Sequence, residues 1–81
     1  MKFSDAEKII SAEGLNNINW YNENKLKENQ VGIARQNNEW IVYVTDERAS
    51  VVPASISRFS TEDEALDTLI RKARYGKKYL L

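Results

Sequence analysis

The segment 31–44 constrains the fold most, because two runs with the alternation of a β-strand flank Asn37-Asn38 in it. Asparagine tolerates the positive φ that a type I′ turn requires, so the two runs are predicted to form a hairpin. A turn at Asn37-Asn38 also fixes the register of the strands. The predicted pairs are Gln36 with Glu39, Arg35 with Trp40, Ile33 with Val42, and Val31 with Val44.

The two faces of this hairpin carry different side chains. The more apolar face is predicted to pack against helices, and it carries Val31, Ile33, Val42 and Val44. The other face carries Ala34, Ile41 and Tyr43. These three residues are predicted to form an exposed apolar stripe on an open sheet face, which is typical of a docking surface.

Before the hairpin, the sequence predicts a helix and a short strand. Ser4 and Glu7 have the spacing of a capping box, so a helix is predicted over 4–13, and Gly14 is the residue expected to end it. Alternating apolar and polar residues predict a strand over 17–22. The asparagine-rich stretch that follows is interpreted as a polar connection.

After the hairpin, a weaker strand is predicted over 49–59, at a sheet edge or broken at Pro53, because proline has no N–H to donate. The last helix has stronger signals. Ser60 or Thr61 is the expected cap, and Thr61 with Glu64 forms a second capping box. Acidic residues fill the first turns and basic residues the last, as the helix dipole favours, and Gly76 is expected to end the helix.

Together these elements predict an α+β fold with the order α-β-β-β-(β)-α. An antiparallel meander sheet of three or four strands is packed on one face by an N-terminal and a C-terminal helix, in a single compact domain over 1–81. The candidate core residues are Ile9, Ile10, Leu15, Ile18, Trp20, Val31, Ile33, Trp40, Val42, Val44, Phe59, Leu66, Leu69 and Ile70.

Composition narrows the range of functions. The chain has no histidine and no cysteine, so the usual general base, thiolate nucleophile and zinc ligands are missing, and neither catalysis nor a metal or cofactor is expected. Twelve basic and twelve acidic residues balance, which does not favour a general polyanion binder. Without a long apolar run or a signal-like N-terminus, we expect a cytoplasmic protein that has no membrane contact.

Two groups of residues are candidates for binding, and each also has a structural interpretation. Asp46, Glu47 and Arg48 follow the hairpin and are typical either of a solvated turn or of a partner contact. The aromatic residues Trp20, Tyr21, Trp40 and Tyr43 can fill a core, pair across strands or stack on nucleobases. The candidate partner-binding residues are therefore Ile41, Tyr43, Asp46, Glu47 and Arg48, with Trp20 or Tyr21 at the rim.

The run 40–48 (WIVYVTDER), followed by 59–66 (FSTEDEAL), resembles the small immunity proteins of bacterial polymorphic toxin systems, including contact-dependent inhibition systems. The resemblance implies a cytoplasmic protein that binds the toxic domain of a cognate effector and neutralises it stoichiometrically, without catalytic residues. Only Asp46, Glu47 and Arg48 match the family as candidate contact positions.

Two alternatives remain open at this stage. The order of helix, strands and helix also resembles the double-stranded-RNA-binding fold. That family has lysines at the start of its final helix, where this chain has Glu62, Asp63 and Glu64, which would repel phosphates. Nucleic-acid binding is therefore not favoured. A small antitoxin or regulator that binds a protein in another way is the second alternative.

Overall fold

Two helices and four strands make up the fold in the computed structural model, which describes residues 1–79. In chain order the elements are α1 (Phe3–Glu13), β1 (Ile18–Trp20), β2 (Val31–Gln36), β3 (Glu39–Val44), a 3-10 turn (Pro53–Ser55), β4 (Ser57–Phe59) and α2 (Glu62–Tyr79). The strands form one mixed sheet in the order β1-β2-β3-β4. This arrangement confirms the α+β class and corrects the purely antiparallel sheet that we predicted.

The β2–β3 hairpin has the predicted register. Gln36 pairs with Glu39, and the pairing continues as far as Val31 with Val44. Asn37 and Asn38 have φ values of 51° and 66°, the positive φ that this kind of turn needs. The two-residue turn and the alternation of apolar and polar residues on either side of it therefore determine the β2–β3 hairpin locally.

Strand β1 corrects the prediction of an antiparallel meander. It is shorter than the predicted 17–22 and runs parallel to β2, with Ile18 opposite Val31 and Trp20 opposite Ile33. Parallel neighbours require the chain to return to the end of the sheet where it started. Residues 21–30 make this return in irregular backbone, across the sheet face that the helices do not cover, where Leu26 packs on the sheet.

Both helices pack on the other face of the sheet and enclose the main core. All fourteen predicted core residues lie in it, either buried or partly buried against its centre. The helices run in the same direction, because the Met1 ammonium contacts Asp67 at 3.2 Å, whereas Glu13 at the end of α1 pairs with Arg74 near the end of α2. The predicted packing of two helices on one sheet face is therefore confirmed.

A second, smaller core lies on the opposite face, where an open surface was predicted. Ala34, Ile41 and Tyr43 are only 2%, 5% and 2% exposed, because Leu26 and Val51 pack over them. The expected exposed stripe is therefore wrong. The cause is the parallel β1 strand, since the return of the chain to β2 places residues 21–30 on this face.

The helix ends follow the sequence signals only in part. Helix α1 begins at Phe3 and has no side-chain cap, so the capping box predicted at Ser4 and Glu7 is wrong: Ser4 lies inside the first turn. Gly14 ends α1 as predicted, with φ 63°. The Glu64 N–H donates to Thr61 Oγ1 at 3.3 Å, which confirms Thr61 as a capping residue. Helix α2 continues past Gly76, which does not end it.

The segment 49–59 is broken at Pro53, one of the two predicted outcomes. Val51 makes an isolated bridge to Thr45, Pro53 starts the 3-10 turn, and only Ser57–Phe59 form the edge strand β4. A proline without an N–H can start such a turn but cannot donate to a strand neighbour.

Candidate partner-binding surface

The structure does not bring the predicted contact residues together. Trp20 and Tyr21 lie at the end of β1, on the side of the sheet near the hairpin turn, whereas residues 46–48 follow β3 at the opposite end. Ile41 and Tyr43 are buried in the second core. A single contact surface cannot use all of these side chains, so the aromatic residues near the hairpin turn and the turn at 46–50 are two separate candidate surfaces.

An aromatic cluster lies at the end of the sheet near the start of α2. It consists of Phe3, Trp20, Tyr21 and Trp40, together with Arg35. The Phe3 and Trp20 rings are 4.9 Å apart between centroids, and Trp20 and Tyr21 meet edge to face at 5.9 Å. The Arg35 guanidinium carbon lies 4.7 Å from the centre of the Trp40 ring, a cation–π distance.

Strand register and one unusual backbone angle place these side chains. Arg35 and Trp40 are a cross-strand pair of β2 and β3, so their side chains meet on one face of the sheet. Tyr21 would point to the opposite face from Trp20 in a continued strand. Its φ of 53° lies in the left-handed region, and its ring instead contacts Trp20. The Tyr21 N–H donates to the Ile33 carbonyl at 3.1 Å, which holds this turn on the sheet.

The Tyr21 ring is also fixed at its far end. Its hydroxyl donates to a carboxylate oxygen of Glu62 in the first turn of α2. Desolvation, together with the bond to the Glu62 carboxylate, raises the pKa of the Tyr21 phenol well above its ordinary value. Tyr21 therefore links β1, the sheet and α2 while keeping part of its ring accessible.

The cluster is half-exposed and has charges around it. Phe3 is 38% exposed and Tyr21 is 37% exposed, and the Arg35 side chain is also exposed. Lys2 pairs with Asp63 at 3.2 Å at the α2 side of the cluster. Accessible aromatic rings next to an arginine, with ion pairs at the rim, are the side-chain types found in the centre and rim of protein interfaces.

The turn at 46–50 is built around the Asp46 carboxylate. Asp46 Oδ1 accepts hydrogen bonds from the N–H groups of Arg48 at 2.8 Å and Ser50 at 3.0 Å. This turn also holds Ala49 at φ 60°, which an alanine rarely adopts. Asp46 therefore has a structural role, whereas Glu47 and Arg48 are exposed and line a groove of about 710 Å³.

Within residues 1–79, no three carboxylate side chains come close enough together to hold a metal ion. In the same part of the chain, neither helix has the length and apolar character needed to cross a bilayer.

No protein-family model, curated protein or solved structure matches this chain. Function is therefore inferred from the residues and their geometry. Trp20 and Tyr21 were predicted as rim residues, and the structure adds Phe3 and Arg35 to the candidate surface. The predicted pairing of Arg35 with Trp40 already contained a signal for Arg35, since a cross-strand arginine and tryptophan lie within cation–π distance.

Proposed function

We propose that this chain is a protein-binding domain that docks its partner on the aromatic cluster. The observation that carries the proposal is the group of Tyr21, Trp40 and Arg35, held in place before any partner arrives. Tyr21 and Arg35 are exposed, and Trp40 is partly buried against the main core. Tryptophan, tyrosine and arginine dominate the binding energy of protein interfaces, because each combines a large contact area with a polar group.

The fixed geometry supports a role in tight binding. Ordering a free aromatic or arginine side chain on binding costs about 0.5–1.5 kcal/mol each. Here Arg35 already rests on Trp40, and the Tyr21 hydroxyl is already bound to Glu62. A partner therefore meets side chains that have little conformational freedom left to lose.

The area requirement indicates that the contact extends beyond the cluster. A standard interface buries roughly 800 Å² on each partner, about 15% of the 5245 Å² surface of this molecule. The residues that flank the cluster include Lys2, Asp63 and Glu39, which would form the polar rim of such an interface.

The biological role that we propose is that of an immunity protein, which neutralises a bacterial toxin domain by stoichiometric binding. The resemblance of 40–48 and 59–66 to the immunity proteins of polymorphic toxin systems supports this role. Neutralisation by occlusion needs a stable surface that is complementary to the toxin, and the aromatic cluster is the surface that we propose for it.

Growth protection tests the proposal. The chain is co-expressed in bacterial cells with candidate toxin domains taken from the neighbouring genes. The Arg35→Glu variant should reduce protection strongly, because it removes the cation–π contact and reverses the charge next to Trp40. We expect its affinity for the purified toxin domain to fall at least tenfold, or about 1.4 kcal/mol.

Arg58→Glu is the matched control, because Arg58 is also an exposed strand arginine but lies on β4 opposite Ile41, away from the cluster. It should leave protection unchanged. Glu47→Lys tests the turn that resembles the family. If Glu47→Lys abolishes protection and Arg35→Glu has no effect, the partner docks at the turn and the proposed surface is wrong.

A further inference from the structure

A pocket lies at the other end of the molecule from the aromatic cluster, between the C-terminal half of α2 and the sheet. Its volume is about 270 Å³, and it is named here the α2 pocket. Val31 and Val44 form its sheet wall, and Tyr75 and Gly76 form its helix wall. The volume is just below the range of ligand sites, about 300–1,000 Å³, so the pocket suits a ligand of one small ring.

The α2 pocket exists because the core-facing side chains of α2 become smaller toward its C-terminal end. Leu66 and Ile70 fill the space between helix and sheet, whereas the next buried positions on α2 are Ala73 and Gly76. Glycine inside a helix is less favourable than alanine. A Cβ atom on residue 76 would lie 2.9 Å from Asn17 Nδ2, so even alanine would require a shift there. This end of α2 therefore leaves an opening above the sheet.

Lys72 is the only charged residue among the described residues that line the α2 pocket. It precedes Gly76 by one helical turn, so both residues lie on the same side of α2. The Lys72 ammonium donates to the Ser55 carbonyl at 3.1 Å. Since an ammonium has three N–H donors, this bond leaves two for other acceptors.

The charge of Lys72 has no counter-ion within residues 1–79, where the ion pairs join other residues. The side chain is partly buried, and desolvation, with a smaller effect from the Arg71 charge, lowers the pKa of Lys72. A partly buried cation is unfavourable when neither water nor an opposite charge compensates it fully. An anion in the α2 pocket would supply the missing opposite charge.

We propose that the α2 pocket binds a small apolar carboxylic acid in its ionised form, whose carboxylate pairs with the Lys72 ammonium. The apolar part of the ligand packs between the valine wall and Tyr75. Lys72 keeps its bond to Ser55 while it donates to the ligand. Charge complementarity selects the acid over neutral ligands of the same shape. This site is separate from the aromatic cluster and does not depend on the proposed immunity role.

Benzoate and benzamide make the sharpest pair of probes, because they have nearly the same shape and only benzoate carries a negative charge. Each probe is titrated into the ¹⁵N-labelled full chain at neutral pH and constant ionic strength, while the amide resonances of Val31 and Gly76 are followed. We expect benzoate to bind roughly tenfold more tightly than benzamide, the effect of a hydrogen bond between charged groups. Equal binding, tighter binding of benzamide, or shifts confined to residues outside the pocket would overturn the proposal.

Two substitutions of Lys72 locate the contact. Lys72→Gln removes the charge but keeps an N–H donor for the Ser55 carbonyl, and it should abolish the preference for benzoate. Lys72→Arg keeps the charge and should preserve the preference. If Lys72→Gln retains the preference, another cation binds the carboxylate and the assignment to Lys72 is wrong. The wild-type comparison of the two probes remains decisive if Lys72→Gln does not fold.

Arg71→Gln is the matched control, because Arg71 is the exposed neighbour of Lys72 on α2, has the same charge and does not line the pocket. It should preserve the preference for benzoate. An equal loss of preference in Arg71→Gln and Lys72→Gln would show a general attraction of anions to this surface and would overturn the proposed site.

N-acetyl-phenylalanine distinguishes the two sources of such a carboxylate, because it resembles the C-terminal residue of a peptide. Binding of this probe with the same resonance shifts as benzoate shows that the pocket accepts a peptide C-terminus. Binding of benzoate alone shows a site for a free small acid. Either result supports the proposed chemistry, and failure of both probes to bind would refute it.

Discussion

Hydrogen bonding and burial determine the roles of Asp46 and Tyr43. Asp46 looks like a surface acid and is the acceptor that builds a turn. Tyr43 is buried in the second core, and its hydroxyl has no hydrogen-bond partner within residues 1–79. The role of Asp46 depends on local backbone geometry, and the burial of Tyr43 depends on contacts with distant segments. The alternation of apolar and polar residues in a sequence specifies neither.

Removing the Tyr43 hydroxyl should stabilise the protein. Tyr43→Phe keeps the ring and removes a buried unsatisfied group, so we expect the free energy of unfolding to rise by about 1 kcal/mol at pH 7. Urea denaturation measures this change. A loss of stability would mean that the hydroxyl has a favourable interaction in solution.

The same variant should alter the response to alkaline pH. Desolvation, with a smaller effect from the Glu23 carboxylate, raises the pKa of Tyr43 above its ordinary value near 10. The folded state then holds the phenol proton more tightly than the unfolded state. The contribution of this proton to stability is complete below about pH 10 and is lost as the pH rises further. The loss of stability above about pH 10 should be smaller in Tyr43→Phe.

Among the elements, the hairpin and the helices were predictable and strand β1 was not. Local chemistry determines the hairpin, since the Asn37-Asn38 turn fixes the register of every following pair. Alternation around Ile18 and Trp20 indicates a strand but says nothing about its direction. The parallel direction of β1 depends on the packing of residues 21–30 on the sheet, which is a tertiary contact.

Gly32 is required by the packing of the second core. A Cβ at this position would lie 2.1 Å from Cζ of Tyr43, whose ring crosses over the strand. Gly32→Ala should therefore lower the free energy of unfolding by about 2 kcal/mol through overpacking. In a Tyr43→Leu background the smaller side chain leaves space, and the cost of Gly32→Ala should fall by about 1 kcal/mol or more. Equal costs in both backgrounds would show that Tyr43 does not cover Gly32.

At the scale of the whole molecule, the parallel β1 strand explains two differences from the predicted fold: the sheet is mixed, and the predicted docking stripe is buried. Once β1 is parallel to β2, the chain must cross a sheet face, and the helices already occupy the other one. The predicted docking stripe is then covered, and the accessible aromatic surface lies at the end of the sheet. The sequence indicated Trp20 and Tyr21 as candidate contact residues. Their grouping with Phe3 and Arg35 became visible only in the fold.

The footprint of the proposed toxin partner on this protein tests the central claim, docking on the aromatic cluster, most directly. The ¹⁵N-labelled chain is titrated with the unlabelled toxin domain, and amide shifts and hydrogen-exchange protection are mapped on the structure. We expect the changes to concentrate at residues 20–21, 35–40 and 62–63, around the aromatic cluster. A footprint centred on residues 46–49, or on the second core at Ile41 and Tyr43, would contradict the claim.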